Sequence, residues 1–208
     1  MIDATEALAR LADGNGRFMQ GGPASDPVHR AVLGSRQKPF AAVLACSDSR
    51  VPVERIFDQG FGDLFVVRVA GNIVAPSQLG SVEFAVTQFG TKLVVVLGHT
   101  DCGAVRATVD NAHGGKTVQS DNLRSIVDRI RPSVESVLSE VKPSDYDALV
   151  RAAVRANVQL SVNQLRAGSD VLETLCAAQE LQIVGAEYSV ETGVVAFFDG
   201  AGSLRIRP

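Results

Sequence analysis

The 208-residue chain has twenty lysines and arginines against twenty-three aspartates and glutamates, a net charge of -3 at pH 7, and 46% hydrophobic residues. That composition suits one globular domain with a real core. It lacks the basic block that a nucleic-acid or anionic-membrane partner requires, and no apolar run approaches the roughly 20 residues that span a bilayer.

Residues 3–19 carry a helical stripe of Ala7, Leu8, Leu11 and Phe18, interrupted by Gly14 and Gly16. A loose stretch with two prolines follows at 20–27, so residues 1–35 read as a helical arm and loop. The arm packs either on its own core or on a second subunit. From residue 36 the pattern is α/β. Short runs rich in Val, Leu, Ile and Phe at 41–46, 64–69, 93–98, 182–188 and 194–198 read as buried strands. Residues 77–89 form a helix that stops at Gly90. Residues 121–140 and 144–167 are long enough to cover a sheet face, with Pro132 expected to kink or break the first. Asp170 and Glu173 make a capping-box-like pair before a last short helix, in which Cys176 is read as simply buried. The run 187–198, around Glu191-Thr192-Gly193, reads as a hairpin that adds an antiparallel edge. The expected fold is α/β: a mostly parallel central sheet with helices on both faces, in a single domain over residues 1–208.

Three cysteines are an odd number, and the chain opens Met-Ile-Asp-Ala-Thr-Glu, with an acid where an export signal would carry positive charge. A cytoplasmic protein is expected, with its thiols in metal binding, catalysis or burial rather than in disulfides. Two of the expected strands run directly into unusual chemistry. One ends in Cys46-Ser47-Asp48-Ser49-Arg50, the other in His99-Thr100-Asp101-Cys102-Gly103. Ligands in such sheets bind at the carboxyl ends of strands. His99 and Cys102, three apart, converge on one ion at a turn or first helical turn, and Cys46 completes the set if the strands are neighbours. Two thiolates and one imidazole suit zinc, and three protein ligands leave the open position of a catalytic ion. Asp48 has three roles open to it: fourth ligand, hydrogen-bond acceptor for metal-bound water, or ion-pair partner at the rim. Arg50 can hold it through a paired hydrogen bond and turn it from the metal.

Together these motifs resemble the β-class carbonic anhydrases. The likeness extends through Phe65-Val66-Val67-Arg68-Val69-Ala70-Gly71-Asn72 and the Gly80-to-Val86 helix, covering roughly residues 35–110. It implies an enzyme with one zinc per subunit on Cys46, His99 and Cys102. A zinc-bound hydroxide oriented by the Asp48–Arg50 dyad would reversibly hydrate carbon dioxide to bicarbonate and a proton. It further implies a homodimer or dimer-based tetramer whose N-terminal helices embrace the neighbour and whose sites borrow residues across the interface. By the same resemblance Gln37 falls where permanently open members carry a glutamine, Phe65 and Ala70 where the apolar pocket lies, and Gly103 where a backbone amide meets a substrate oxygen. Phe84 replaces a tyrosine, and Ala70 a valine. Val43 stands where members inhibited by bicarbonate at a second site have tryptophan, although Arg68 and Tyr188 match two other members of that site. A proton carrier is not identified; His29 and His113 are read as surface or helix-end residues. Hydrolysis of carbonyl sulfide or carbon disulfide is the alternative within the family, and a non-catalytic zinc protein the alternative outside it.

Overall fold

The computed structural model describes residues 1–21, 37–112, 118, 120–138 and 145–199; His29, His113 and most of the loose stretch lie outside them. Helix α1 (Ala4–Met19) begins at Asp3, whose carboxylate accepts a hydrogen bond from the Glu6 amide at 2.8 Å. Its stripe of Ala7, Leu8 and Leu11 is fully buried in one cluster with Val51, Val53, Ile56 and Phe57 of the same chain. Of the two packings open to the arm, the structure shows the one on its own core.

Gly14 explains the break in the stripe. A Cβ there would collide with the Phe57 carbonyl, so only glycine lets α1 approach this closely. Beside it, buried Asn15 donates to the carbonyls of Ile56 (3.1 Å) and Gly193 (2.9 Å) and accepts from the Val195 amide at 2.9 Å. Asn15→Leu strands three backbone groups at once, those of Ile56 and Val195 in buried bonds and that of Gly193 in a part-buried one. It is expected to lower the unfolding free energy by at least about 2 kcal/mol, read from the urea midpoint.

The strands β1 (Ala41–Ala45), β2 (Leu64–Arg68), β3 (Leu93–His99), β4 (Gln182–Tyr188) and β5 (Val195–Asp199) form one sheet in the order β2-β1-β3-β4-β5. Neighbours among β1 to β4 pair parallel, and β5 adds the antiparallel edge. This is the sheet expected from the alternation of strands and helices. The helices are α2 (Val53–Ile56), α3 (Pro76–Phe89), α4 (Gly103–Ala112), α5 (Asp121–Val137), α6 (Tyr146–Ala167) and α7 (Asp170–Ala177). Ala41, Val43 and Ala45 face α1 and α2, whereas Ala42 and Leu44 face α3, α6 and α7, the alternation that a strand buried on both faces imposes. A third cluster lies beyond the carboxyl ends of the strands, where α4, α5 and α6 pack together around Cys46 and Cys102.

Two local expectations are narrowed or corrected. Of the kink or break expected at Pro132, the break does not occur: α5 continues to Val137, and the carbonyl that loses its donor belongs to exposed Asp128. The last helix is capped not by an Asp170–Glu173 box but by Ser169, whose hydroxyl accepts from the Leu172 amide. Glu173 instead pairs with Arg166 through two 2.8 Å bonds.

Candidate metal centre

Strands β1 and β3 are hydrogen-bonded neighbours, with Ala45 opposite Leu97, so Cys46 and His99 leave the sheet at the same end. After His99 the Thr100 amide donates to the Tyr188 carbonyl at 2.9 Å, and Asp101 takes a left-handed φ of 60°. This sharp turn brings Cys102 back under His99 just before α4 begins at Gly103. The two sulfurs and a His99 ring nitrogen lie within 4.8 Å of one another, and all three residues are buried.

The donor chemistry fits a metal. His99 Nδ1 lies 2.9 Å from the Thr100 carbonyl, which can only accept, so Nδ1 carries the proton and Nε2 the lone pair. Nε2 is buried and has no hydrogen-bond partner among the described residues, a costly arrangement unless something else takes that lone pair. A tetrahedral zinc with bonds of about 2.0–2.3 Å would hold its ligands roughly 3.3–3.8 Å apart, and the donor triangle needs little contraction to reach that.

The two thiols bear on one another. A hydrogen bond from Cys102 pushes the Cys46 thiol down, helped by the Gly71 amide, against the opposing effect of burial. The thiolate beside it, and burial, push Cys102 far up. The opposite directions of the two shifts lead us to expect one thiolate and one thiol in the metal-free site at pH 7. Metal uptake at that pH is expected to release about one proton per site rather than two, and affinity to weaken as pH falls because the proton competes for Cys102. Calorimetry in buffers of different ionisation enthalpy counts the protons.

Asp48 sits at the mouth of the triangle, one oxygen 3.9 Å from His99 Nε2. Arg50 takes both of its oxygens: Nε donates to Oδ1 at 3.0 Å and Nη2 to Oδ2 at 2.8 Å, while the Arg50 amide adds 2.9 Å to Oδ1. This pairing holds the Asp48 carboxyl well below the usual carboxylate range. Arg68 braces the same loop from β2, its Nε donating to the Cys46 carbonyl at 3.0 Å and its Nη2 to the Asp48 carbonyl at 2.6 Å. No local motif around Arg68 signals this brace, because both of its acceptors are backbone carbonyls about twenty residues away in sequence.

The remaining candidates divide into two groups. Ala70 opens a 3-10 turn (Ala70–Asn72) whose Gly71 amide donates to Cys46 Sγ at 3.3 Å. Gly103 stands beside Cys102 at the start of α4, with open space where a Cβ would be. Both belong to the donor end. Gln37 precedes β1, at the other end of the strand from Cys46, a separation of about 15 Å or more at the rise of a strand. Phe65 pairs with Ala42, also toward that far end. Phe84 packs against Phe65 with ring centroids 6.2 Å apart and is half exposed. A single chain does not bring Gln37, Phe65 and Phe84 to its own donors. Val43 is fully buried within β1, and Cys176 is half-buried on α7.

A parallel sheet carrying a Cys-His-Cys set and an arginine-held aspartate at its carboxyl edge defines a metalloprotein of a recognisable kind. The family model described as carbonic anhydrase matches residues 41–195, and this chain belongs to that family, in its β class. It is 39% identical over 201 residues to carbonic anhydrase 2 of Mycobacterium tuberculosis, covering 95% of this chain and 94% of that protein. Identity to a carbonic anhydrase of Mycolicibacterium smegmatis is also 39%, over 95% of each chain. Among solved structures, the β-carbonic anhydrase CafA of Aspergillus fumigatus superposes with a TM-score of 0.74 at 29% identity, over 97% of this chain and 93% of that one. Among the described residues no helix is long and apolar enough to cross a membrane.

Proposed function

We propose that the chain reversibly hydrates carbon dioxide to bicarbonate and a proton, with one zinc ion per subunit held by Cys46, His99 and Cys102. The observation that carries this reading is the two-pronged grip of Arg50 on Asp48. With both carboxylate oxygens engaged, the donor set stops at three, the number that leaves a catalytic ion open to solvent. Zinc, when bound, supplies Lewis-acid activation of water, lowering its pKa from about 16 towards neutrality.

The protein's own groups do the orienting. Asp48, anionic and without a proton to give, can only accept a hydrogen bond from the attacking oxygen, so it fixes which way that oxygen's lone pair faces. Arg50 keeps the carboxylate from closing the site. Ala70 offers an apolar wall for carbon dioxide, and the Gly103 amide, at a helix start, donates to an oxygen of substrate or product. The two thiols also support placement in the cytoplasm, where they stay reduced.

Gln37, Phe65 and Phe84 can serve a site only from another copy, which supports a homodimer, alone or paired into a tetramer. Each site then takes its metal ligands from one subunit and its glutamine amide and aromatic wall from the partner. Co-expression tests this. Gln37→Leu and His99→Ala chains, each impaired alone, are expected to regain activity when mixed, because the hybrid dimer holds one complete site. Absence of recovery in a purified hybrid would argue against sharing. The main reading is tested by stopped-flow hydration with metal analysis from pH 7 to 9. Stoichiometric zinc without hydration activity would overturn it.

A further inference from the structure

Helix α6 buries an apolar stripe from Leu149 to Leu165, its first half against α4 and α5 and its second against the sheet, and two polar residues fall on it, Asn157 and Ser161, each 1% exposed. Polar groups persist in such a place when bonded. Asn157 Nδ2 donates to the Gly71 carbonyl at 2.8 Å, and Ser161 Oγ donates to the Asn72 carbonyl at 3.0 Å. Both acceptors lie in left-handed backbone, Gly71 at φ 72° and Asn72 at φ 43°. A positive φ in asparagine is uncommon backbone that its surroundings must hold. The Asn72 backbone amide closes the turn on the Val69 carbonyl at 3.1 Å, whereas its side-chain Nδ2 has no partner among the described residues and so adds no hold of its own. On the far side, a Cβ on Gly71 would press to 2.6 Å from Ile130 of α5. Gly71 is thus gripped at its carbonyl by Asn157 while its amide grips Cys46 Sγ at 3.3 Å.

We propose that Asn157, supported by Ser161, is a positioning residue for the metal centre, acting through the Gly71 backbone, whose carbonyl it holds, to fix the N–H···S hydrogen bond on Cys46. Neither side chain touches metal or substrate. An amide hydrogen bond draws charge from a thiolate and fixes its orientation, so the bond sets how strongly that sulfur donates to the ion. The inference rests on the metal-binding reading above.

Cobalt(II) replacing zinc gives the test, because sulfur-to-cobalt charge transfer reports the thiolate directly. Asn157→Leu removes the donor and puts an apolar side chain of similar bulk in its place, and Asn157→Asp, read at a pH where it is ionised, keeps the shape without the donor. Both are expected to shift the charge-transfer band and to weaken cobalt affinity about tenfold or more in chelator competition. Ser161→Ala is expected to act in the same direction but less, and it serves if the Asn157 variants do not fold. Leu165→Ala, buried on the same helix away from the turn, controls for lost stability. It is expected to lower Tm and leave band and affinity in place. Asn157 and Ser161 variants with the parent band and affinity would overturn the inference, as would an equal shift in Leu165→Ala. A parent protein that takes up no cobalt would instead overturn the metal-binding reading, and this inference with it.

Discussion

His99→Ala is expected to lose metal and activity together, with hydration falling to the uncatalysed background. His99 supplies the one nitrogen of the donor set, and its lone pair has no other partner in the described structure. Two sulfurs alone would leave the ion half-coordinated, and the acidity it would lend to water, roughly nine pKa units, goes with it. Cys46→Ser is expected to match this, because a serine hydroxyl does not ionise near neutral pH and makes a poor substitute for a thiolate. Metal content by elemental analysis, beside Tm as a control for folding, separates loss of the ion from loss of the protein. An alanine variant that retains one tightly bound zinc would show that His99 is not a ligand.

Asp48→Asn is expected to behave differently: metal stays at one per chain while kcat falls about 100-fold or more. Asparagine cannot accept from Arg50 on both of its outer atoms, so the paired grip opens, and an N–H donor stands where the attacking oxygen needs an acceptor. Because Asp48 is held below the usual carboxylate range, it is ionised at every pH used for assay, and the pH dependence of turnover above pH 5 is not its titration. The same shift has a consequence for stability. A carboxyl whose folded pKa is depressed stabilises the fold above its unfolded value, about 3.9, and loses that contribution as pH falls through the folded value. The stability gap between parent and Asp48→Asn is therefore expected to be flat above about pH 5 and to close in acid. A variant with the parent kcat would remove Asp48 from the mechanism.

The chemistry of the site was legible because it sits in residue types. Cysteine, histidine and an Asp-x-Arg pair beyond two apolar runs carry their meaning in one dimension, and the neighbouring strands supplied the juxtaposition they required. Strand β4 runs over the expected residues, and the antiparallel edge follows from its turn residues. What sequence did not disclose depends on distant backbone. The Gly71 amide on Cys46 belongs to no side chain, and Asn157 reads as an ordinary polar interruption until its partner, 86 residues away, is known. The short helices α2 and α4 lack the length for a periodic signal, and α4 begins among residues that read first as chemistry. At α7, Ser169 won the cap because it stands one residue earlier than the pair favoured from sequence, while Glu173 found an arginine.

The pairing of Ala45 with Leu97 also makes the donor triangle a gauge of assembly. A slip of one residue between β1 and β3 would carry Cys46 about 3.3 Å along the sheet and turn its side chain to the opposite face. A growing or misregistered chain therefore offers isolated thiols but no complete site, and tight metal capture would wait for the finished sheet. On the proposed reading, zinc taken up at that point would bind the native state alone, lowering its free energy relative to every earlier form by mass action. Retention of the ion would then record that folding had reached its end.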